Sequence, residues 1–347
     1  MKNQKKTIIL SGGGTLGSIS PLLALAENLR EEYNLYWLVS KQGPEKGILE
    51  KNGFSFSTIP SGKLRRYFSF YNFLDPIFIM AGFLKSLAII IIKRPKLTIS
   101  AGSFVSVPVV WAAKILGIKN IIHQQDLRPG LANKLMAPAA TIITTVFLKS
   151  VADFGKKARQ IGNPCSLKMA PELGIDLDPD KPVLLVFGGG TGAETLNSLI
   201  IASLDFLLSF CQVVHSTGQG KKIEINKEGY FSFEFIDTNL MHSLLAQATA
   251  VVSRAGLGAL TEISFYRKAS IIIPIPHSHQ EDNAAEAAKT KGAIILDQTR
   301  LTADDLMRAI RKIILDKDFR LELEENIGKL IKPGAIEEMK KIIKELI

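Results

Sequence analysis

The sequence predicts an α/β fold in which two similar domains, each built on a parallel β-sheet, follow one another along the chain. Two stretches share one local pattern: a buried strand, a glycine-rich turn and the start of a helix. Their Gly-Gly-Gly-Thr segments begin at Gly12 and Gly188 in the 347-residue chain, too far apart for a solenoid repeat. Short apolar runs alternate with helical patterns elsewhere, as in parallel sheets covered by helices on both faces.

The predicted elements follow in order. The first repeat has a strand at Thr7–Leu10 and a helix at Pro21–Leu29, and the second has a strand at Val183–Phe187 and a helix at Asn197–Leu208. The other predicted strands are Leu35–Val39, Leu97–Ser100, Asn120–His123, Thr141–Thr145, Val213–His215, Ala250–Ser253, Ile271–Ile275 and Ala293–Leu296. The proline-rich segment Asn163–Pro182 is predicted to connect the domains, and Ile336–Ile347 is predicted to be a separate amphipathic helix.

Composition limits the class of protein. Apolar residues make up 46% of the chain and charged residues 22%, which is enough for packed cores and excludes a wholly disordered or fibrous protein. Two cysteines, Cys165 and Cys211, are too few for a disulfide framework, and the first residues do not resemble a secretion signal. We therefore expect a reducing, cytoplasmic setting.

Positive charge is concentrated in the first half of the chain. Residues 1–150 carry a net charge of +12 and the remainder a net charge of −2. Residues 51–100 alone contain 8 basic side chains and 1 acidic side chain. We therefore expect the first half to meet an anionic partner, which could be nucleic acid, a phospholipid surface or a phosphorylated substrate.

The apolar segment Ile77–Ile92 is a candidate membrane contact. It contains Lys85, and its 16 residues are fewer than the roughly 20 that a spanning helix needs. Basic residues flank it and aromatic residues precede it, as in helices that lie on anionic lipid. A buried core helix is an equal alternative. Nucleic acid is disfavoured, because the basic residues accompany an apolar helix and not a stacking surface.

Gly12, Gly14 and Gly17 match the dinucleotide-binding fingerprint, in which bare backbone approaches a phosphate at a helix N-terminus. An NAD site would also need an acid at the end of the second strand, where Ser40 and Lys41 stand instead. An NADP site tolerates that pair, but the duplicated loop argues against a simple dehydrogenase.

A more specific pattern begins at Arg254, directly after a predicted strand. Gly256 and Gly258 free the backbone at a helix N-terminus, which can then receive a diphosphate. Glu262, about one turn into the helix, is placed to accept hydrogen bonds from both hydroxyls of a ribose.

Two amides follow this pattern. Gln280 and Asn283 have the i, i+3 spacing that puts both on one helix face, where they can bind sugar hydroxyls. The alternative interpretation of both segments is a capped helix with solvent-facing amides.

With these segments the chain resembles the MurG family, two-domain GT-B glycosyltransferases that add N-acetylglucosamine to lipid I in peptidoglycan synthesis. The similar motifs run almost from end to end in the family's order. They are Gly13–Pro21, Gly62–Tyr67, Gly102–Pro108, His123–Asp126, Pro129–Lys134, Gly162–Pro164, Gly188–Asn197, Phe235–Asp237, Arg254–Glu262 and His279–Ala284. The resemblance implies two Rossmann-like domains, 1–163 and 164–333, whose parallel sheets face a central cleft, and a last helix, 334–347, that packs back on the first domain.

The resemblance implies that the second domain binds UDP-N-acetylglucosamine without a cofactor. Uracil would lie against the backbone near Ile236, ribose on Glu262, and the sugar on Gln280 and Asn283. The other implied donor-binding residues are Gly190, Arg254 and Gly256, with Leu257, Gly258, Ala259, Leu260 and Thr261 at the diphosphate turn.

The first domain would hold the acceptor. Thr15, Leu16 and Gly17 would face the acceptor and the diphosphate, and Asp126 would lie near the transferred sugar. The basic, apolar face of this domain would contact the anionic inner leaflet beside lipid I. The enzyme would then be a peripheral protein at the cytoplasmic face of the cell membrane, and no nucleic acid would be a partner.

The chain departs from the family pattern mainly on the catalytic side. An inverting transfer needs a base for the acceptor hydroxyl and stabilisation of the leaving diphosphate, which a helix N-terminus can supply without a metal. Asp126 is the candidate base, and a polar loop residue is its alternative role. The departures are Leu16 for a glycine, Ser18 for a histidine, His123-Gln124-Gln125-Asp126 for His-Glu-Gln-Asn, Ser166 for an arginine and Gly190 for a serine.

A metal site is not expected. Asp176-Leu177-Asp178 spells the Asp-x-Asp motif of metal-dependent glycosyltransferases but lies in the connector, and the histidines lack the pairing of a zinc site. His123 is predicted to be a packed histidine. Three other functions stay open: a GT-B transferase with another acceptor, a UDP-sugar epimerase of similar architecture, and a catalytically weak nucleotide-sugar-binding protein.

Overall fold

The computed structural model describes residues 5–14, 16–41, 43, 45–62, 71–166, 169–170, 172–189 and 193–347. The chain divides into two compact units: the first comprises residues 1–166 and 332–347, and the second comprises residues 167–331. The sequence-based boundaries lay a few residues away, after 163 and after 333.

The strands are three to seven residues long. In the described part of the chain they are β1 Thr7–Ser11, β2 Asn34–Ser40, β3 Ser55–Ile59, β4 Leu97–Ser100, β5 Lys119–Gln124, β6 Ile142–Thr145, β7 Ala158–Gln160, β8 Val183–Phe187, β9 Gln212–Ser216, β10 Tyr230–Phe233, β11 Ala250–Ser253, β12 Ser270–Ile272 and β13 Ala293–Ile295.

Helices connect most of the strands. They are α1 Leu16–Leu29, α2 Glu45–Lys51, α3 Tyr71–Lys93, α4 Ser106–Ile115, α5 Leu131–Met136, α6 Lys149–Phe154, α7 Glu194–Ala202, α8 Leu204–Leu208, α9 Thr238–Gln247, α10 Leu257–Phe265, α11 His279–Lys289, α12 Ala303–Leu315, α13 Lys317–Ile327 and α14 Ala335–Leu346. Short 3₁₀ turns lie at Ala137–Ala139 and Gly155–Lys157.

Among the described residues each unit contains one sheet, and the strand pairs are parallel. The first sheet has the order β3-β2-β1-β4-β5-β6-β7 and the second the order β10-β9-β8-β11-β12-β13. In both, the first strand along the chain lies inside the sheet and the strand order reverses there. The loops that leave the carboxyl ends on either side of such a reversal open a crevice, which is where α/β proteins bind ligands.

Burial explains which strands the sequence predicts. The runs of β4, β8 and β11 are buried at every position and have the predicted bounds. The strands that were missed, β3, β7 and β10, lie at sheet edges, where partial exposure removes the continuous apolar run. The predicted strand Ile271–Ile275 ends early, at Ile272, since Pro274 and Pro276 cannot donate to a ladder.

Two helix predictions need correction. The first helix begins at Leu16 and contains Pro21, so it starts earlier than predicted. The predicted helix Asn197–Leu208 is two helices, α7 and α8, because Ser203 between them has non-helical backbone angles (φ −109°, ψ 9°).

Helix α14 belongs to the core of the first unit. Met339, Ile342 and Ile343 are buried in the same cluster as Ile8 of β1 and Leu22 of α1. At the end of the chain, the ammonium groups of Lys6 and Lys119 donate to the carbonyls of Ile347 and Leu346, respectively. These contacts attach the last helix to the first sheet.

Helix α3 is longer than the sequence predicted. It has 23 residues, so its length of about 35 Å is sufficient to cross a bilayer. By length and composition alone, its segment Asp75–Lys93 could span a membrane, and only 22% of it is buried. The prediction that it is too short was therefore wrong, and a fully buried core helix is excluded.

Candidate active site

The site in the second unit forms at the N-terminus of α10. Gly256 is the N-cap residue, and no side chain caps the helix there. The amides of Leu257, Gly258 and Ala259 precede the first helical hydrogen bond, from the amide of Leu260 to the carbonyl of Gly256. These three N–H groups and the helix dipole favour an anion in front of the helix.

The two glycines of this turn leave space in front of the backbone. A Cβ built at Gly256 or Gly258 meets none of the described atoms within 4 Å. Gly256 has φ −66°, which any residue can adopt. Neither backbone strain nor internal packing therefore requires glycine at position 256, and the open space is suited to a ligand.

Glu262 lies in the second turn of the same helix. Its side chain is partly buried, and burial raises its pKa to about 7 because a low-dielectric environment disfavours the carboxylate. A ring nitrogen of the buried His242 lies within 4.8 Å of a Glu262 carboxylate oxygen. Burial also lowers the pKa of His242, so this imidazole is neutral at neutral pH.

Arg254 and Asn283 hold the loop that leads into α10. The guanidinium of Arg254 is buried and its Nη1 donates to the carbonyl of Ile273 at 3.0 Å. Asn283 is fully buried and its Nδ2 donates to the carbonyl of Ala255 at 3.2 Å. Both were predicted to contact the substrate directly, and these two hydrogen bonds hold the backbone between β11 and α10.

Gln280 is the more accessible of the two predicted amides. Its side chain is partly buried, and its Oε1 accepts from the amide of Ile275 at 3.2 Å. Ser278 caps α11 by accepting from the amide of Gln280. The i, i+3 pair therefore does lie on one helix, but its members have different environments.

The other predicted donor residues have three different environments. Ile236 is buried in the loop before α9, and Asp237 caps that helix by accepting from the amides of Asn239 and Leu240. Leu257, Leu260 and Thr261 are buried, whereas Gly258 is exposed and Ala259 partly buried. Gly190 lies outside the described residues.

In the first unit, a carboxylate occupies the glycine-rich turn. Both oxygens of Glu45 lie 3.2 Å from the amide nitrogen of Gly14, and Oε1 accepts from the amide of Ser40 at 3.1 Å. The hydroxyl of Ser40 also donates to this carboxylate. Sequence reasoning missed Glu45, because nothing in the local pattern links it to a turn 31 residues earlier.

Three loops meet at the carboxyl edge of the first sheet. The Ser103 hydroxyl, after β4, donates to the carbonyl of Gly13 at 2.6 Å. The Gln125 side chain, after β5, donates to the carbonyl of Ala101 at 3.1 Å. Asp126 therefore belongs to the same edge as the glycine-rich turn. Gly17 is exposed in the first turn of α1, only the backbone of Leu16 is described, and Thr15 lies outside the described residues.

The residues before Asp126 form a buried network. The Gln124 side chain donates to the carbonyl of Asp126 at 2.6 Å and accepts from the Asn133 amide at 2.6 Å. The ring nitrogens of His123 contact Thr144 and Asn163, each at 3.0 Å. His123 is buried, which confirms that it is a packed histidine, and burial lowers its pKa to about 4. Gln124 accordingly shapes the loop on which Asp126 stands.

The Asp-x-Asp sequence, Asp176-Leu177-Asp178, lies in the predicted connector and outside regular structure. Asp178 Oδ1 accepts from the amide of Asp180 in an exposed turn before β8, and its other oxygen lies 3.8 Å from Lys181. Both contacts belong to the turn itself.

Comparison with known proteins covers both units. Residues 8–145 match the glycosyltransferase family 28 N-terminal domain, and residues 183–346 match the family 28 C-terminal domain. A UDP-N-acetylglucosamine–N-acetylmuramyl-(pentapeptide) pyrophosphoryl-undecaprenol N-acetylglucosamine transferase of Clostridium kluyveri is 34% identical, with 90% of this chain and 92% of the relative covered. The protein of the same name from Clostridium botulinum is 32% identical, with 98% and 99% covered.

Solved structures agree on the fold. The crystal structure of Acinetobacter baumannii MurG has a TM-score of 0.75 at 20% identity, with 98% of this chain and 99% of that chain covered. A Listeria monocytogenes protein assigned as a UDP-N-acetylglucosamine 2-epimerase has a TM-score of 0.71 at 11% identity, with 98% and 96% covered. Because these identities are low, the likenesses establish only the GT-B fold. The family follows from the two matched domains and from the relatives that are aligned over nearly the whole sequence, and by both the chain belongs to the MurG family of glycosyltransferases.

Proposed function

We propose that this chain transfers N-acetylglucosamine from UDP-N-acetylglucosamine to the C4 hydroxyl of the muramoyl sugar of lipid I, with inversion, and so makes lipid II for peptidoglycan synthesis. The observation that carries the proposal is the 32–34% identity, over nearly the whole chain, to relatives named for this transfer. By supplying cell-wall precursor, the enzyme would act in growth, cell shape and division.

The donor is assigned to the second unit. Its diphosphate binds at the turn Leu257–Thr261, where the amides of Leu257, Gly258 and Ala259 precede the first helical hydrogen bond. Its ribose hydroxyls donate to Glu262, and its uracil lies along the backbone at Ile236. Gln280 is the amide that contacts the sugar. Arg254 and Asn283 support this site from behind, since their described hydrogen bonds hold the backbone around the turn.

The acceptor is assigned to the first unit. The acceptor hydroxyl attacks the anomeric carbon from the face opposite UDP, and the carboxylate of Asp126 takes its proton. Amides at the start of α10 stabilise the charge that develops on the departing diphosphate. Thr15, Leu16 and Gly17 face the acceptor side of the same reaction.

A transfer assay tests the proposal. Radiolabelled UDP-N-acetylglucosamine and purified lipid I should give labelled lipid II. Epimerised free sugar would instead indicate an epimerase, transfer only to other glycans another acceptor, and donor binding without turnover a binding protein. Asp126→Asn should lower kcat while calorimetry shows unchanged donor binding, and a retained kcat would exclude Asp126 as the base.

An anionic membrane surface is proposed as a partner of the first unit. One side of α3 packs on the unit through Gly82, Ser86 and Ile90. Its other side exposes large apolar side chains. The large apolar side chains of α3 that are at least 45% exposed are Ile77, Phe78, Met80, Leu84, Ile91 and Ile92.

The neighbouring helix also exposes apolar side chains. Trp111 and Ile115 of α4, which packs on α3, are 37% and 65% exposed. Lys93, Arg94 and Lys96 lie exposed at the end of α3, and the basic and aromatic residues 63–70 before it lie outside the described residues. We propose that α3 lies on the cytoplasmic surface of the membrane and does not cross it, because crossing would strip its packed side from the core.

Vesicle sedimentation tests the membrane contact. Ile77→Ser combined with Leu84→Ser should release the protein from vesicles that contain anionic lipid. The matched control is Leu315→Ser in the second unit, which replaces a leucine that is also more than half exposed and should leave binding unchanged. Equal binding of all three proteins would refute this membrane face.

A further inference from the structure

We infer that Glu45 is a positioning residue whose carboxylate serves as an internal anion: it fills the anion-binding backbone pocket of the first glycine-rich turn and fixes the turn for the acceptor. The structural part of this inference stands on hydrogen bonds within the first unit. Its effect on turnover rests on the proposed function.

The contacts of Glu45 are those of a bound anion. The residue begins α2, and its side chain has no exposed surface. Its carboxylate accepts from the amides of Gly14 and Ser40 and from the Ser40 hydroxyl. A buried carboxylate requires such donors, because burial without them is strongly unfavourable. Backbone amides turned toward one point, as those of Gly14 and Ser40 are, form the kind of pocket that binds phosphate in other proteins.

The fit between the turn and Glu45 is close. Gly13 has φ +154°, and a Cβ built on it would lie 2.3 Å from Glu45 Oε1. From the other side, the amide of Gly13 donates to Ser18 Oγ at 3.1 Å, and Ser103 donates to its carbonyl. The turn is therefore held on both sides by side chains of the chain itself.

In this arrangement the glycine fingerprint has a different role from the one it has in a dinucleotide-binding domain. In a dinucleotide-binding domain the amides of such a turn receive the phosphate of the ligand. Here the carboxylate of Glu45 already accepts from Gly14, and it also contacts Ser40, at the strand end where an NAD site has its ribose-binding acid. The amide of Gly14 is consequently not available to the phosphate of a nucleotide, and an acceptor diphosphate would bind outside this pocket.

Anion rescue tests the inference. Glu45→Ala should remove the internal anion and leave the amides of Gly14 and Ser40 unpaired, which we expect to lower kcat roughly tenfold or more. The donor KM should stay unchanged, since the donor is assigned to the other unit. Sodium formate, added at constant ionic strength against sodium chloride, should restore both kcat and the melting temperature of this variant. Formate that acts no better than chloride would overturn the inference.

Two further proteins make the result specific. Glu50→Ala removes an exposed carboxylate from the same helix, and it should match wild type with and without formate. If Glu45→Ala does not fold, Glu45→Gln keeps one acceptor oxygen and should lower kcat without a formate response, whereas an unchanged kcat would overturn the inference. If wild type itself shows no transfer, the proposed function fails, and the formate-dependent melting temperature still tests the pocket.

Discussion

The protonation of Glu262 should control donor binding near neutral pH. Burial raises the pKa of this carboxyl to about 7, and ribose hydroxyls donate more strongly to the ionised form. Lowering the pH from about 8 to 6 should therefore weaken binding of UDP-N-acetylglucosamine. His242, the imidazole beside it, has a pKa below its ordinary 6.5, so Glu262 is the group of this pair whose charge changes most over that range.

The magnitude follows from linkage. If only the ionised carboxyl binds, the apparent Kd is the intrinsic Kd multiplied by 1 + 10^(pKa − pH). The apparent Kd should therefore rise about tenfold when the pH is lowered from 8 to 6. Binding should also release about 0.9 proton at pH 6 and about 0.1 at pH 8. The unliganded protein should show the opposite trend in stability. Because the folded pKa of Glu262 is raised, the contribution of this carboxyl to the free energy of unfolding is greatest below about pH 4.5. That contribution declines by about 3 kcal/mol as the pH rises to about 7.

Titration calorimetry in buffers of different ionisation enthalpy measures both the affinity and the released proton. The sugar nucleotide is the better ligand, since its diphosphate diester keeps a constant charge over this range, unlike the terminal phosphate of UDP. Glu262→Gln is the control, and it should bind roughly tenfold more weakly with no dependence on pH. A wild-type affinity that is constant with pH, or that improves in acid, would refute the assignment of Glu262 to the ribose.

The other predictions concern groups that keep the units in shape. Asp237→Ala removes the cap of α9, so it should lower the free energy of urea unfolding by about 1 kcal/mol and raise the donor KM. Unchanged values would contradict the role of this cap. Asn283→Ala should cost about 1–3 kcal/mol and weaken donor binding in calorimetry, whereas wild-type affinity would show that the turn needs no support. Burial lowers the pKa of His123 and His215 to about 4. Each neutral histidine should therefore stabilise the fold above about pH 6.5. The free energy of unfolding should fall by about 2.5 kcal/mol per histidine as the pH is lowered to about 4.5. The measurement is the urea midpoint of Glu262→Gln, which lacks the titrating carboxyl of Glu262. A midpoint that stays constant from about pH 6.5 to about pH 4.5 would contradict this prediction.

The sequence predicts the interior of each unit better than its margins. Inner strands such as β8 and β11 are apolar along their whole length because both faces are covered, so their pattern is unambiguous. The edge strand β7, Ala-Arg-Gln, has no such signal, since its pairing is with β6 alone. The length of α3 was underestimated because its first turns include Asn72 and Asp75, which interrupt the apolar run. Polar residues in a first turn do not end a helix.

The local structure of the proposed donor site was more predictable than that of the proposed acceptor site for a physical reason. The turn before α10 and Glu262 are close in sequence, so helix geometry alone brings them together. The supporting contacts are remote in sequence: Asn283 reaches Ala255, and Glu45 reaches Gly14. Contacts of this kind depend on how strands are ordered in a sheet, which local patterns do not specify.

The two units show why a duplicated glycine motif does not duplicate a function. A turn of bare amides attracts an anion, and what decides its use is whether the chain already supplies one. In the first unit the local sequence resembles a nucleotide site, but the amide of Gly14 is already paired with the carboxylate of Glu45. At the start of α10 no side chain caps the helix, and the space before Gly256 is open. We therefore assign the nucleotide to the start of α10, where three amides precede the first helical hydrogen bond. The formate-dependent melting temperature of Glu45→Ala tests the internal anion of the first turn without any nucleotide present.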